Sequence, residues 1–331
     1  MSAKKKNGTP PKRGKARAVR AKSPPEARKP VAEGPRGMVL LDEPLAHHTS
    51  WRVGGPARCY FEPADRDDLI AFMRAQPPPE PLLWLGLGSN LLVRDGGWSG
   101  TVISLHGALD GLTSTGADEI YAEAGVHCAR LAKFAQQHKR AGLGFMAGIP
   151  GTVGGALAMN AGAWGGETWP HVVAAEVLFR DGRTAWLGPA DFHVAYRHVE
   201  MPPGFAGFLG ARFRVTEDVG GEHERVTRES LAHRKATQPV GKPSAGSTFR
   251  NPPGDFAARL IESAGLKGFR IGGAEVSTLH ANFIITSDAA TAADVEQLIE
   301  HVRTVVREQT GTELIPEVRV VGERKEGPDG R

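Results

Sequence analysis

The sequence lacks several features that would assign a protein to a class at once. It has only two cysteines, Cys59 and Cys128, too few for a disulfide framework or a cysteine-rich metal site. No apolar run approaches the roughly 20 residues that cross a bilayer, and the first residues lack the apolar core of a signal peptide. These absences favour a protein of the reducing cytoplasm that is not embedded in a membrane.

Common catalytic and metal-binding motifs are also missing. The sequence has no Walker lysine motif, no His-Glu-x-x-His and no nucleophile elbow. Its 12 histidines are scattered without metal-ligand spacing, so we expect no metal. Chemistry carried by a bound organic cofactor is the simplest explanation that remains.

Positive charge is concentrated at the start of the chain. The 331 residues have a net charge of +4, but residues 1–36 alone carry +10 and the rest about −6. This segment is rich in lysine and proline and poor in large apolar residues, so we predict a disordered tail over residues 1–37. Such a tail could contact nucleic acid or acidic lipid. A solvated, non-specific extension is the simpler interpretation, a transit peptide fits less well, and we expect no nucleic-acid partner.

A glycine-rich stretch, residues 141–167, is the most unusual part of the chain. It has nine glycines and one proline, interleaved with apolar residues such as Phe145, Met146 and Trp164. A flexible linker would instead be polar and serine-rich. Glycine weakens both helix and strand but lets backbone approach a ligand closely. We therefore predict a half-buried loop against a large flat ligand that carries phosphates.

A second candidate phosphate loop follows a short apolar strand at 82–85. The turn Gly86-Leu-Gly-Ser-Asn90 offers backbone N–H groups and polar side chains. It lacks the third glycine and the following helix of a dinucleotide fingerprint, which argues against a Rossmann fold.

The remaining pattern predicts a mixed α+β protein, since strands and helices follow one another along the chain. The length suggests two or three domains, and we place a first domain at 38–228, a second at 229–322 and a polar tail at 323–331. In the second domain, the Gly- and Pro-containing break 237–254 presents Ser247, Arg250 and Asn251 on a constrained loop. Predicted helices cover residues 64–76, 126–140, 255–264 and 291–309, and predicted strands include 82–85, 91–93, 172–179 and 312–321.

Five motifs in order resemble one known family. They are Leu85-Gly-Leu-Gly-Ser-Asn-Leu-Leu-Val93, the segment from Gly148 to Glu167, Tyr196-Arg197, Ala245-Gly-Ser-Thr-Phe-Arg-Asn-Pro252 and Pro316-Glu-Val318. Together they closely resemble the UDP-N-acetylenolpyruvoylglucosamine reductases of peptidoglycan precursor synthesis, over about residues 40–322. The resemblance implies an FAD-binding domain of the vanillyl-alcohol-oxidase type followed by a smaller α+β substrate-binding domain.

The same resemblance implies a reaction and its participants. NADPH would reduce FAD, and the flavin would then pass hydride to C3 of UDP-N-acetylglucosamine enolpyruvate, bound in the same cleft. The carbanion at C2 needs stabilisation first and a proton second. By motif, Ser247 would donate that proton, Arg197 would bind the substrate carboxylate, and Glu317 would assist, most effectively if protonated.

Binding residues also carry over by motif. Tyr196, Lys235 and Asn251 are the candidates for holding the UDP-sugar, Lys235 because it lies twelve residues before Ser247. The FAD pyrophosphate would lie on the two glycine loops, at Gly86, Gly88, Ser89, Asn90, Gly151, Thr152, Gly154 and Gly155.

Two features distinguish this chain within the family. No tyrosine follows Tyr196, so the chain resembles the shorter family variant that lacks a tyrosine-bearing loop over the substrate. Val199 stands where the family often has a hydroxyl residue, which leaves open what supports Arg197. We expect a monomer, although the sequence does not decide the oligomeric state.

Two other functions agree less well with the sequence. A flavin oxidase on the same scaffold would use oxygen as acceptor and predicts a covalent flavin, but no His or Cys occurs in 82–104. A nucleic-acid-binding module would use the basic tail, yet the body carries no recognisable nucleic-acid motif.

Overall fold

Helices and strands are distributed along the whole described chain, which comprises Met1, residues 34–75 and residues 81–325 of a computed structural model. Six α-helices occur in these residues: α1 (Arg66–Ala75), α2 (Cys128–Gln137), α3 (Val153–Met159), α4 (Glu222–Thr237), α5 (Ala257–Ser263) and α6 (Ala292–Thr310). None of them is long and apolar enough to cross a membrane.

The described residues also contain 20 strands and five 3-10 helices. The strands are β1 (Met38–Pro44), β2 (Pro56–Glu62), β3 (Leu82–Leu85), β4 (Leu91–Val93), β5 (Trp98–Ser104), β6 (Leu112–Ser114), β7 (Glu119–Glu123), β8 (Arg140–Ala141), β9 (Gly162–Ala163), β10 (Gly166–Glu167), β11 (Val172–Phe179), β12 (Thr184–Leu187), β13 (His193–Ala195), β14 (His198–Glu200), β15 (Phe205–Arg214), β16 (Thr216–Glu217), β17 (Arg270–Ile271), β18 (Ala274–Val276), β19 (Ile284–Thr286) and β20 (Arg319–Val321).

Two sheets build the first part of the molecule. Strands β1-β2-β5-β3 form a four-stranded sheet in which β2, β5 and β3 run parallel. Strands β12-β11-β15-β7-β6 form an antiparallel sheet. The largest apolar cluster lies beneath the antiparallel sheet and includes Leu131, Met146, Leu157 and Phe213. Apolar residues of α2 and α3, such as Leu131 and Leu157, belong to this core.

A smaller α+β unit follows, built on α5, α6 and the three-stranded sheet β17-β18-β19. Helix α6 begins with a capping box, in which Thr291 and Asp294 each accept a hydrogen bond from the other's backbone N–H. Val295, Leu298 and Val302 of this helix are buried in a second core.

The two units are tied together at several points, and the described residues from Gly34 to Lys325 belong to one compact unit. Strand β20 returns to pair in parallel with β4. Trp51 is fully buried in the second core, and its indole N–H donates to Ile284 O at 2.8 Å. Thr286 Oγ1 in turn donates to Trp51 O at 2.6 Å. These contacts hold the cleft between the units in place.

The structure corrects several expectations about local structure. The glycine-rich stretch is not a continuous loop, because Val153–Met159 is helical and residues 162–167 contain the β9–β10 hairpin. Burial of Val153, Ala156 and Leu157 stabilises α3 despite its two glycines. Gly154 has no Cβ, so the helix can lie against Ala124, whose Cβ would be 3.1 Å from an added one.

Other predicted elements shift at their ends. The predicted strand 312–321 is limited to β20, and the predicted helix 126–140 to α2. The predicted boundary at residue 229 falls inside α4, so the chain has no break there; the division at 229 stays a prediction. The tail predicted for 1–37 lies mostly outside the described residues, as do the end of the predicted helix 64–76 and residues 326–331 of the second tail.

Candidate active site

The two predicted phosphate loops face each other across a narrow cavity of about 150 Å³. Its lining includes residues 83–91 on one side and Gly151, Thr152 and Gly155 on the other. A Cβ on Gly86 would lie 2.5 Å from Thr152 Oγ1. Gly88 has φ +59°, and a Cβ there would lie 2.2 Å from His48 O. Both positions therefore need glycine for the loops to pack this closely.

A larger cavity of about 590 Å³ adjoins the loops and shares Gly86, Asn90 and Thr152 with them. Trp84 also lines both cavities, and its buried indole Nε1 has no hydrogen-bond partner among the described residues. A buried donor without an acceptor is costly unless a ligand supplies one. The lining is apolar near Leu85 and Phe208 and becomes charged toward Arg197. A ligand with both a flat apolar part and phosphates fits this arrangement.

Arg197 lies at the tip of the β13–β14 hairpin, directly after Tyr196. Ala195 pairs with His198, so Tyr196 and Arg197 between them form a two-residue turn. Arg197 has φ +55°, which is unfavourable for a side chain with a Cβ. Its guanidinium donates from Nη1 to Asn160 O at 3.2 Å and from Nη2 to Gly162 O at 2.8 Å. The two carbonyls hold the planar group in one orientation.

Glu317 lies beside Arg197 on the segment before β20. The Arg197 Nε lies 3.1 Å from Glu317 Oε1, and both side chains are largely buried. Burial raises the pKa of Glu317 above its usual range, while the nearby Arg197 and Arg250 lower it less strongly. This carboxyl is therefore easier to protonate than a free glutamate, and when protonated it can donate a hydrogen bond.

Ser247 reaches the same place from the second unit. It lines a cleft of about 250 Å³ together with Arg197, Glu317 and Asn251. The next residue, Thr248, accepts a hydrogen bond from Glu317 N at 2.8 Å. Ser247, Arg197 and Glu317 therefore come together from segments far apart in the sequence.

The serine loop is held by one buried side chain, Asn282. Its Oδ1 accepts from Phe249 N at 2.9 Å and its Nδ2 donates to Phe249 O at 2.8 Å. Its own carbonyl accepts from Thr248 N at 2.8 Å. This pattern imitates a strand partner and fixes the backbone beside Ser247.

Comparison with known proteins identifies the family. A model described as "UDP-N-acetylenolpyruvoylglucosamine reductase, C-terminal domain" matches residues 238–321, and one described as "FAD binding domain" matches residues 57–188. A UDP-N-acetylenolpyruvoylglucosamine reductase of Methylococcus capsulatus is 54% identical over 288 residues, which cover 87% of this chain and 94% of that protein. A reductase of the same name from Alkalilimnicola ehrlichii is 53% identical over 281 residues, which cover 85% of this chain and 94% of that protein. The chain belongs to the UDP-N-acetylenolpyruvoylglucosamine reductase family.

A solved structure agrees with this assignment. The crystal structure of the reductase from Thermus caldophilus is 35% identical, has a TM-score of 0.73, and covers 86% of this chain and 98% of its own. The predicted family and the predicted α+β fold with an FAD-binding domain are confirmed. The chain is a flavin-dependent oxidoreductase.

Two of the three candidate substrate residues of this reductase line the cleft, and the third does not. Tyr196 and Asn251 line the cleft, and Arg197 Cζ lies 5.0 Å from the centroid of the Tyr196 ring. Asn251 Oδ1 also accepts from Ala257 N at 3.1 Å, at the start of α5. Lys235 is exposed and is not among the residues that line the cleft, whereas its neighbour Arg234 is. The structure thus places Arg234 of α4 at the cleft, and the substrate-binding role of Lys235 stays a prediction.

Arg234 is partly buried, and its Nε donates to Gln238 Oε1 at 3.1 Å. Burial lowers the pKa of Arg234 from its usual value. A partly buried guanidinium that has no carboxylate partner among the described residues is suited to a ligand phosphate.

Sequence reasoning missed Arg234, the placement of Arg250 beside Glu317, and the roles of Asn160 and Asn282. A signal existed for Asn160, which is the one strongly polar residue in the run from Gly151 to Gly166 apart from Thr152. No comparable signal marked Asn282, because its partners are 33 residues away.

Proposed function

We propose that this chain reduces UDP-N-acetylenolpyruvoylglucosamine to UDP-N-acetylmuramate, with FAD as bound cofactor and NADPH as reductant. The observation that supports this most strongly is the meeting of Ser247, Arg197 and Glu317 at a cleft beside the glycine loops. When bound, FAD accepts hydride from NADPH and supplies it to C3 of the enolpyruvyl group. All other steps fall to residues of this chain.

The glycine loops hold the cofactor phosphates in this proposal. The Gly86–Asn90 backbone lines the narrow cavity, together with the hydroxyl-bearing residues Ser89 and Thr152. In the second loop, the N–H groups of Gly151, Val153 and Gly154 already donate to protein carbonyls, so this loop contributes mainly by its close approach and by Thr152. Gly154 contributes by allowing α3 to approach Ala124.

Arg197 binds the substrate carboxylate and stabilises the charge that develops there. A guanidinium carries five N–H donors. Nη1 and Nη2 each use one N–H on Asn160 O and Gly162 O, and Nε lies 3.1 Å from Glu317 Oε1. The second N–H of each Nη would then serve the substrate carboxylate. Because the group is held in advance, it stabilises the charge without reorganising during the reaction.

Glu317 assists as a neutral acid. A charged carboxylate beside the developing enolate would oppose the reaction, whereas a protonated one donates to it. Its raised pKa agrees with that role. Arg250, which also lines the larger cavity, supplies a second positive charge near this point.

Ser247 delivers the proton that completes the product. Addition of hydride to C3 leaves an electron pair at C2, and the Ser247 Oγ–H bond breaks as the new C2–H bond forms. The serine alkoxide then recovers a proton from solvent. A serine is acidic enough for this step only beside a strongly basic carbanion that is shielded from water.

Arg234, Asn251 and Tyr196 form the part of the cleft that would hold the UDP-sugar, with Arg234 at the diphosphate. The reaction uses a nucleotide sugar and NADPH, so we place it in the cytoplasm. We expect the chain to act as a monomer without a nucleic-acid partner.

The test is a two-stage absorbance experiment. The purified protein should be yellow with non-covalent FAD, lose its colour with NADPH in the absence of oxygen, and regain it when the enolpyruvyl UDP-sugar is added. If only oxygen restores the colour, the chain acts as an oxidase and the proposal is wrong. Removal of residues 1–36 should leave both stages unchanged, and loss of catalysis on that deletion would contradict the proposal.

A further inference from the structure

Asn160 occupies an unusual position between three segments of the active site. It ends α3 with φ 47° and ψ 53°, a left-handed conformation that asparagine tolerates better than most residues. Its side chain is 2% exposed, so each of its polar groups needs a partner within the protein.

All the polar groups of this side chain are used. Asn160 Nδ2 donates to Glu167 Oε2 at 2.9 Å and to Ala195 O at 3.2 Å. Asn160 Oδ1 accepts from Trp169 N at 3.1 Å. The side chain thus connects the end of α3 with the segment after β10 and with β13.

The backbone of the same residue contacts the catalytic arginine. Asn160 O accepts from Arg197 Nη1, and Gly162 O, two residues on, accepts from Nη2. Ala195, which the Asn160 side chain holds, comes two residues before Arg197 in the hairpin. Asn160 therefore contacts the hairpin just before its turn, through Ala195 O, and the guanidinium at its tip.

We infer that Asn160, with Glu167 as its carboxylate partner, is a positioning residue that holds Arg197 in the orientation needed to bind the substrate carboxylate. The inference rests on the proposed role of Arg197. Asn160 would also supply the support for Arg197 that Val199 lacks. The family often has a hydroxyl residue at the position of Val199. That valine is 7% exposed and belongs to the main core, so it offers the arginine no hydrogen bond.

The alternative is that Asn160 only stabilises the fold, as many buried asparagines do. The two roles differ in what they predict for a variant that already lacks Arg197. A residue that acts through Arg197 has nothing left to position there, so its loss should not slow the reaction further. A residue that only stabilises should slow the reaction equally with and without Arg197.

The test therefore combines Asn160→Gly with Arg197→Ala and follows the two half-reactions separately. Glycine keeps the left-handed backbone but removes all three side-chain bonds. In the parent, Asn160→Gly should slow reoxidation by the enolpyruvyl UDP-sugar about 10- to 100-fold, because misplacing a group by about 1 Å can cost that much. Flavin reduction by NADPH and flavin content should stay within about twofold of the parent. In the Arg197→Ala background, Asn160→Gly should change neither rate.

Lys139→Gly is the matched control. Lys139 also follows a helix and has a positive φ, 53°, but its side chain is exposed. Its hydrogen bonds to Gln136 O and Asp218 N are made by the backbone. This variant should behave as the parent in both half-reactions.

A second variant, Asn160→Asp, covers the case in which glycine prevents folding. It keeps the shape and the acceptor but replaces the two Nδ2 donors with an oxygen facing Glu167 and Ala195 O, so it should show the same selective slowing. The inference is overturned if Asn160→Gly slows both half-reactions equally. It is also overturned if Asn160→Gly slows reoxidation in the Arg197→Ala background as much as it does in the parent. If the parent itself fails to react with the enolpyruvyl UDP-sugar, the proposed function is wrong, which is a separate result.

Discussion

Replacing Glu317 with Gln should stabilise the protein at neutral pH while it slows the reaction. Burial raises the pKa of Glu317 above its ordinary value of 4.5. The folded protein therefore binds this proton more tightly than the unfolded chain does. The resulting stability is fully present below about pH 4.5 and is lost as the pH rises through the folded pKa. Glutamine has no such proton, so the variant avoids this loss.

The size of the effect follows from one proton. Binding of one proton changes the free energy of unfolding by at most about 1.4 kcal/mol per pH unit. The variant and the parent should thus diverge from about pH 4.5 upward and reach a constant difference above the folded pKa. The attraction of Arg197 and Arg250 for the charged form is already included, because the raised pKa is the net result.

The measurement is chemical denaturation of parent and variant across this pH range, with both half-reactions followed at neutral pH. Reoxidation by the enolpyruvyl UDP-sugar should slow by about 100-fold, the usual scale of a lost general acid. Glu262→Gln makes the same substitution at a side chain that is 59% exposed and should change stability by less than about 0.5 kcal/mol. A destabilised Glu317→Gln protein at neutral pH, or a difference that does not vary with pH, would refute the reasoning.

Three further variants test other parts of the site. Ser247→Ala should still lose its colour with NADPH, but the enolpyruvyl UDP-sugar should reoxidise it at least about 100-fold more slowly than the parent. Equal slowing of both stages would contradict the role of Ser247. Gly88→Ala should lower the FAD content of the purified protein, since its Cβ would lie 2.2 Å from a carbonyl oxygen. The control Gly188→Ala, whose Cβ would lie 3.8 Å from Asp191 Oδ2, should retain full FAD content. Asn282→Ala should lower the unfolding free energy by about 1–3 kcal/mol for each buried Phe249 group left unpaired, and a smaller loss in denaturation would show that the serine loop does not depend on it.

Local patterns were sufficient for much of the fold. The capping box and the apolar face of residues 291–309 predicted α6 to within one residue at each end of the helical run. Strands β3 and β4 were predicted with their observed bounds. These elements depend on side chains close together in sequence, so a sequence pattern contains the necessary information.

The glycine-rich stretch could not be predicted in the same way. Its composition disfavours a helix, yet α3 forms because Leu157 and its apolar neighbours enter the main core and because Gly154 permits close packing on Ala124. Tertiary contacts outweighed local propensity there.

The sequence by itself determined the family, the cofactor class and the three residues proposed for chemistry, because each lies in a short motif with its own residue types. Only the tertiary structure decided how they act together. It placed Arg234 of α4 at the cleft, and it raised the pKa of Glu317 by burying it. It also brought Asn160 to Arg197 across 37 residues. The burial of a side chain, the direction in which it points and its contacts with distant residues all arise from packing. The spacing of residues within a motif does not contain this information.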